Sequence, residues 1–309
     1  MSMSADQMSA EQQPLTAKGV TLVVPAYNEE GGIEGVVRRL MALELGAPLE
    51  LLVVDDGSTD GTRPKLAALE GEFPNLRVID HGRNRGYGAS LKTGFRQAAH
   101  RVVVITDADA TYPEDRIRDL LDCVDRGAEM AVGARVGASV HIPLIRRPAK
   151  WALRKLASYL AGVQIPDLNS GLRAFRRELV ESYEGILPDG FSFTTTITLA
   201  SLTNHHAVEY VSIDYAHRSG SSKIKPIQDT LRFVSLIIRT VLYFNPLKVF
   251  YPLFGGLLVL LGTSFYYDVF LTDTAPNLSD KTVVLFLAAV QVLTLGLVAD
   301  LIDKKARLR

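Results

Sequence analysis

The stretch Leu49-Glu50-Leu51-Leu52-Val53-Val54-Asp55-Asp56-Gly57-Ser58-Thr59-Asp60-Gly61 decides the fold. A run of Leu and Val passes directly into a loop of acids, glycines and small hydroxyl residues. An apolar run of that length, closed by turn formers, reads as a strand buried on both faces. Such strands belong to parallel sheets covered by helices. The plan repeats on either side of this stretch. Strands are expected at 20–26, 49–55, 76–80, 101–107, 128–133 and 207–213. Helices are expected near 30–44, 62–70, 88–99, 114–125, 148–161 and 192–204. The alternation predicts an α/β domain over 19–225, with a mostly parallel sheet and helices on both faces.

Ligands on such sheets bind beyond the carboxyl ends of the strands. The first strand ends in Pro25-Ala26-Tyr27-Asn28-Glu29, the second in Asp55-Asp56, the fourth in Asp107-Ala108-Asp109. One acidic strand end is ordinary, because Asp also caps helices and shapes turns. Three at one lip repel each other unless a cation or a hydrogen-bond donor offsets them. Asp107 and Asp109 can hold Mg2+ or Mn2+ together with phosphate oxygens, or can simply cap the turn ahead of Pro113. Basic residues follow in the second half: Arg135, the group Arg146, Arg147 and Lys150, then Arg173, Arg218 and Lys223. They suit phosphate binding, and equally suit a surface lying near a membrane. Gly86-Tyr87-Gly88 lacks a third glycine at dinucleotide spacing and does not follow the first strand. It reads as a loop entering a helix.

The chain has 309 residues, with 34 Lys and Arg against 34 Asp and Glu. That balance lacks the basic excess of a nucleic-acid binder. The single cysteine, Cys123, rules out an intrachain disulfide. Mean hydropathy is nevertheless positive, at +0.13. The apolar residues are concentrated: neither 249–267 nor 282–299 contains a charge. Each run approaches the roughly 20 residues that cross a bilayer core. Two transmembrane helices are expected within 248–303, at about 249–271 and 282–302. The link carries Asp268, Asp273, Asp280 and Lys281, and the tail 304–309 carries Lys304, Lys305, Arg307 and Arg309. The positive-inside rule then places the N-terminal domain and the C-terminus in the cytoplasm. Between the two parts, 226–247 is an amphipathic helix that either lies on the membrane surface or packs on the globular domain. Residues 1–18 are polar, lack the apolar stretch of a signal peptide, and read as a disordered leader.

Taken in order, Pro-Ala-Tyr-Asn-Glu, Val-Asp-Asp-Gly-Ser-Thr-Asp-Gly-Thr, Asp-Ala-Asp and Asn-Ser-Gly-Leu-Arg resemble the family 2 glycosyltransferases. The likeness is to the dolichol-phosphate and polyprenyl-phosphate hexose synthases, and covers about 18–225. It implies a GT-A fold followed by a two-helix membrane hairpin, as in the bacterial branch and its inner membrane. It implies that Pro25, Tyr27, Glu29, Asp55 or Asp56, Lys92 and Ala108 line the nucleotide sugar. Asp107 and Asp109 would hold Mg2+ or Mn2+ on its diphosphate. Arg135, Arg146 and Lys150 would bind the acceptor phosphate. Arg173, Arg218 and Lys223 would contact phosphates or close over the donor. Asp167 matches an acidic position proposed as a base. A homo-oligomer is also implied.

Two departures narrow the implied activity. Mannosyl-type relatives continue Asp-x-Asp with Leu-Gln, where this chain has Ala110 and Thr111. Processive relatives carry Gln-x-x-Arg-Trp, and the only tryptophan here, Trp151, follows Arg147-Pro148-Ala149-Lys150. The expectation is an inverting transfer of one hexose from a nucleotide sugar, UDP-glucose first, to polyprenyl phosphate. The alternatives are GDP-mannose as donor, a glycolipid or protein as acceptor, or a membrane protein that binds sugar nucleotides without turnover.

Overall fold

The computed structural model describes residues 14–136, 147–214, 226–271 and 278–307. Among these, β1 (Val20–Ala26), β2 (Leu49–Asp55), β3 (Leu76–Asp80), β4 (Val102–Ile105), β5 (Met130–Ala134), β6 (Arg173–Arg176) and β7 (Val208–Ser212) form one sheet. Its order is β3-β2-β1-β4-β6-β5-β7. Each of the six expected strands is present. β6 is an addition to them, and it runs antiparallel to both β4 and β5. Arg-Ala-Phe-Arg is too short and too charged to read as a strand, which is why sequence pattern passes over it.

Alternate residues of the central strands enter opposite cores. Leu22, Val24, Leu51, Val53 and Val104 face one side. Val23, Leu52, Val103 and Ile105 face the other. The first core is covered by α1 (Ile33–Met41), α2 (Thr62–Glu72) and α4 (Ile117–Asp125). α1 buries Ile33, Val36, Val37 and Leu40, a single helical stripe. The second core is covered by α3 (Tyr87–Gln97), α6 (Arg177–Tyr183) and α7 (Phe193–Thr203). Fully burying one Leu or Val stabilises by roughly 1.5–3 kcal/mol, so these two layers hold the sheet.

Register fixes the lip. Ala26 pairs with Asp55, and Val23 with Ile105. Arg173, the first residue of β6, pairs with Ile105 on one side and Val132 on the other. Because β6 is antiparallel, its amino end arrives where β1, β2, β4 and β5 finish. The loop 167–172 is thereby delivered to the same edge as Asp55 and Asp107.

A third core joins α5 (Arg147–Ala161), α7 and α8 (Pro226–Phe244) through Ala157, Leu160, Leu199, Leu202, Ile237 and Val241. Ile237 and Val241 thus pack α8 on the globular domain. α9 (Leu247–Tyr266) and α10 (Asp280–Arg307) follow as a hairpin. The apolar lengths Leu247–Leu271 and Asp280–Lys305 are long enough to cross a membrane. They are almost unburied, at 6% and 17% of their most apolar windows, so they are not core helices of the soluble kind. At the turn, Asp268 accepts hydrogen bonds from the Ser279 N–H (2.9 Å), the Ser279 hydroxyl (2.6 Å) and the Thr282 hydroxyl (2.5 Å). Along the seam, Gly296 lies against Phe250, where a β-carbon would come within 2.8 Å of it.

Candidate active site

The loops after β1 and β2 interlock. The Asn28 N–H donates to the Ser58 hydroxyl (3.0 Å), and the Thr59 N–H donates back to the Asn28 side chain (2.8 Å). Asn28 adopts a positive φ of 57°, which Asn tolerates better than most residues. Pro25 is half-buried within β1, the Tyr27 ring is exposed, and the Glu29 N–H is held by the Thr62 hydroxyl at 2.9 Å.

Asp55 and Asp56 are adjacent and both buried, yet they do different work. Asp56 accepts from the N–H groups of Arg85 (2.9 Å) and Gly86 (2.8 Å), and its Oδ1 lies 2.8 Å from His81 Nδ1. His81 in turn reaches the Thr93 hydroxyl at 2.9 Å. Asp56 therefore ties down the loop that enters α3. Asp55 accepts one bond, from the Ser58 N–H at 3.0 Å, and its Oδ2 is buried without a hydrogen-bond partner. A buried carboxylate oxygen left unpaired is costly, so a ligand donor is the natural complement.

Asp107 lies just past β4. Its Oδ1 accepts from the Tyr87 hydroxyl at 3.1 Å, and its Oδ2 lies where a β-carbon on Gly171 would be 2.7 Å away. Burial first, and the neighbouring Asp107 charge second, push the Tyr87 phenol well above its ordinary value, so it remains a donor. Ala108 is buried. Ala110 turns through a positive φ of 58°, and Asp109 accepts from both the N–H (3.2 Å) and hydroxyl (2.6 Å) of Thr111. Across the lip, Tyr112 accepts from the Gly171 N–H at 2.6 Å, and burial pushes its phenol up as well.

Arg135 and Asp167, expected to serve separately, are joined. Arg135 Nε and Nη2 donate to the two Asp167 oxygens at 2.7 and 2.9 Å, and the Arg135 N–H adds a third bond at 3.1 Å. Arg135 Nη2 also reaches the Asn169 side chain at 2.9 Å. Asp167 is thus built to orient a guanidinium.

Arg173 corrects an expectation. It is fully buried and faces no open lip. Its Nε donates to the Ser170 carbonyl (2.7 Å), Nη2 to the Leu168 carbonyl (3.0 Å) and Nη1 to the Thr198 hydroxyl (2.6 Å). Burial pulls its pKa below the guanidinium norm, with Tyr210 and Asp167 opposing. It braces the 167–172 loop from beneath, and phosphate contact does not fit that placement. Lys92 has partners within the protein. It grips the Leu187 carbonyl at 2.9 Å and Asp189 at 2.5 Å. Arg146, Arg218 and Lys223 lie outside the described residues, as does the side chain of Lys150.

Sequence reasoning missed Tyr87, Gly171 and Phe191. The Phe191 ring stacks on Tyr87 with centroids 5.5 Å apart and planes 16° apart. The available signal was the aromatic between Gly86 and Gly88 at a helix start on the same lip. The glycines serve packing: Gly86 has φ 103°, and a β-carbon there would lie 2.5 Å from the Asp189 carbonyl.

Residues 21–184 match the family model described as Glycosyl transferase family 2. The chain belongs to that family. A second model, the GtrB C-terminal hairpin, matches residues 245–304 of this family 2 glycosyltransferase. It is similar to the polyprenol monophosphomannose synthase of Mycolicibacterium smegmatis, with 30% identity covering 71% of this chain and 86% of that protein. It is also similar to the dolichyl-phosphate hexose transferase of Haloferax volcanii, with 32% identity covering 68% and 89%. Among solved structures, glucosyl-3-phosphoglycerate synthase from Mycobacterium tuberculosis, crystallised with Mn2+, UDP and phosphoglyceric acid, gives a TM-score of 0.57. That match is 24% identical and covers 75% of this chain and 81% of the other. It carries the fold: the mixed sheet with helices on both faces is the expected GT-A arrangement.

Proposed function

We propose that this glycosyltransferase moves one hexose from a nucleotide sugar to a polyprenyl phosphate at the cytoplasmic face of a membrane. The observation that carries the reading is the coexistence in one chain of the Asp55–Asp107 lip and an apolar hairpin with open faces. The names of the two relatives supply the acceptor class. The basic residues at the carboxyl end of α10 and the acidic residues of the link between α9 and α10 support the sidedness.

The residues present fit a hard divalent cation. Asp107 and Asp109 offer carboxylate oxygens, and the missing β-carbon of Gly171 leaves space at one of them. Among the described residues no cluster of three or more His, Cys, Asp or Glu could hold a metal alone. Mg2+ or Mn2+ would therefore be shared with the donor diphosphate, where it offsets charge on the leaving group. Asp55 Oδ2 would accept an N–H of the nucleotide base, a role open to uracil and guanine alike.

In the transfer, a phosphate oxygen of the acceptor bonds to the anomeric carbon while the bond to the diphosphate breaks. The nucleoside diphosphate leaves and the centre inverts. A phosphate monoester is largely dianionic at neutral pH, with a second pKa of about 6, so no strong base is required. What the chain must supply is position: two anions have to be brought together. Arg135, held in one plane by Asp167, would present its guanidinium to the acceptor phosphate, joined by Arg146 and Lys150. UDP-glucose is placed first among donors because Ala110 and Thr111 replace the mannosyl-type Leu-Gln. GDP-mannose is the second reading, favoured by the name of the Mycolicibacterium relative.

The test is a panel of labelled nucleotide sugars with undecaprenyl and dolichyl phosphate, using the full chain in detergent. Label should enter the lipid phase together with release of nucleoside diphosphate. Transfer only to a glycolipid or protein, or nucleotide binding without product from any donor, would overturn the proposal.

A further inference from the structure

Asp107 is held from two sides by groups that bind nothing else in the proposed reaction. The Tyr87 hydroxyl donates to Oδ1 at 3.1 Å. Oδ2 occupies space that only glycine at 171 leaves open, since a β-carbon would stand 2.7 Å from it. Gly171 cannot drift away, because its N–H is fixed on the Tyr112 hydroxyl at 2.6 Å. Tyr87 is itself pinned. It opens α3, and two residues later the Ala89 N–H donates to the Asp189 carbonyl at 3.0 Å. Lys92, one turn further along, grips the same 187–189 segment. Phe191 extends from that segment and stacks on Tyr87, with most of the residue open to solvent.

We propose that Tyr87 is a positioning residue that holds the Asp107 carboxylate in its cation-binding orientation, with Phe191 tying that orientation to the 187–192 loop. The inference rests on the cation reading of Asp107 and Asp109 given above. Ligating carboxylates are oriented by outer hydrogen bonds, whose loss weakens metal binding. Tyr87→Phe removes the hydroxyl and keeps the ring on Phe191, so the stack and the fold survive. Phe191→Leu does the converse, keeping the hydroxyl and removing the stack.

The measurement is Mn2+ binding to the full chain in detergent, followed by the paramagnetic resonance signal of free Mn2+, with UDP or GDP present. Tyr87→Phe should weaken Mn2+ binding by about 10-fold or more, the range for loss of an outer-sphere partner. Phe191→Leu should weaken it by roughly threefold, the lower end of what an aromatic pair contributes. Metal-free nucleotide affinity and thermal midpoint should stay at wild-type values. In transfer assays the Mn2+ concentration for half-maximal rate should rise while kcat at saturating Mn2+ is recovered. Wild-type Mn2+ affinity in Tyr87→Phe overturns the inference and leaves the cation reading standing. Parallel loss of thermal stability and metal-free nucleotide binding overturns it in favour of a merely structural tyrosine. Absence of Mn2+ binding by the wild-type chain with either nucleotide overturns the cation reading itself.

Discussion

Arg173 provides the sharpest test, because two roles for it make opposite predictions. As a phosphate ligand it would lower donor affinity when removed and leave the fold intact. As the buried brace described above, it does the reverse. Arg173→Met keeps the length of the side chain and deletes the bonds donated to the Ser170 and Leu168 carbonyls, the Thr198 hydroxyl and the Met130 sulfur. The Leu168 carbonyl keeps a long bond from the Thr198 hydroxyl (3.4 Å), and a buried carbonyl left unpaired costs about 1–3 kcal/mol. Relief of the desolvation of the buried guanidinium offsets part of that. A net loss of about 3 kcal/mol is expected, which for a domain of this size lowers the thermal midpoint by about 6–12 °C. Arg173→Lys retains the charge but replaces a planar fork with a point donor, which cannot span two carbonyls and a hydroxyl. It should be destabilised nearly as much. The assay is thermal unfolding of the full chain in detergent at one scan rate, paired with UDP affinity measured below the lower midpoint. If Arg173→Met unfolds within 2 °C of wild type and loses UDP affinity tenfold, with Arg173→Lys partly restoring it, the brace is wrong and the phosphate role returns.

Three other outcomes are expected. Asp107→Asn and Asp109→Asn should each lower transfer by about 100-fold or more without a matching loss of thermal midpoint, since several kcal/mol of charge stabilisation depend on the cation. Near-wild-type turnover in either would remove that carboxylate from the site. Arg135→Ala should reduce activity toward polyprenyl phosphate far more than UDP affinity, and should also lower the thermal midpoint, because the buried Asp167 loses its guanidinium partner and keeps the N–H donors of residues 135 and 169; equal losses of acceptor and nucleotide binding would refute the acceptor role. Glu50 tests the pH response. Burial pushes its carboxyl up, but bonds from the Ala99 N–H, the Thr21 hydroxyl and Arg77 outweigh that and hold it below 4.5. A depressed folded value means stability that is present above about pH 4.5 and lost as pH falls below it. Glu50→Gln should therefore flatten the fall of the thermal midpoint between about pH 5 and pH 3, and an unchanged slope would show that other carboxylates carry it.

What was legible in the sequence follows from how much each residue is constrained by its own neighbours. β1, β2 and β4 are buried on both faces, so nearly every side chain in them is apolar, with Thr21 and Glu50 bonded to each other as the buried polar pair, and the run is visible without any knowledge of partners. α1 declares itself through one stripe. The lip acids are legible because each follows such a strand directly. The choice between Asp55 and Asp56 is not legible. It depends on Arg85 and Gly86, about thirty residues away, donating their N–H groups to one and not the other. Arg135 and Asp167 could be singled out separately, but their pairing could not, because the loop 167–172 reaches the lip only through β6.

The missed strand accounts for most of what pattern reading could not supply. A four-residue antiparallel insertion has no period long enough to detect, and its charged ends argue against it. Yet its direction reverses the sense of the sheet between β4 and β5, and so brings an incoming loop to an edge otherwise made of outgoing ones. That reversal sets Gly171 against Asp107 and Asp167 against Arg135. The buried Arg173 is what makes so short a strand end able to hold a loop, because one guanidinium satisfies two carbonyls that the sheet cannot reach. A residue that looked like a ligand by charge is thus explained by topology. Asp55, Asp107 and the Arg135–Asp167 pair share one lip because β6 delivers the second half of the candidate site to the first.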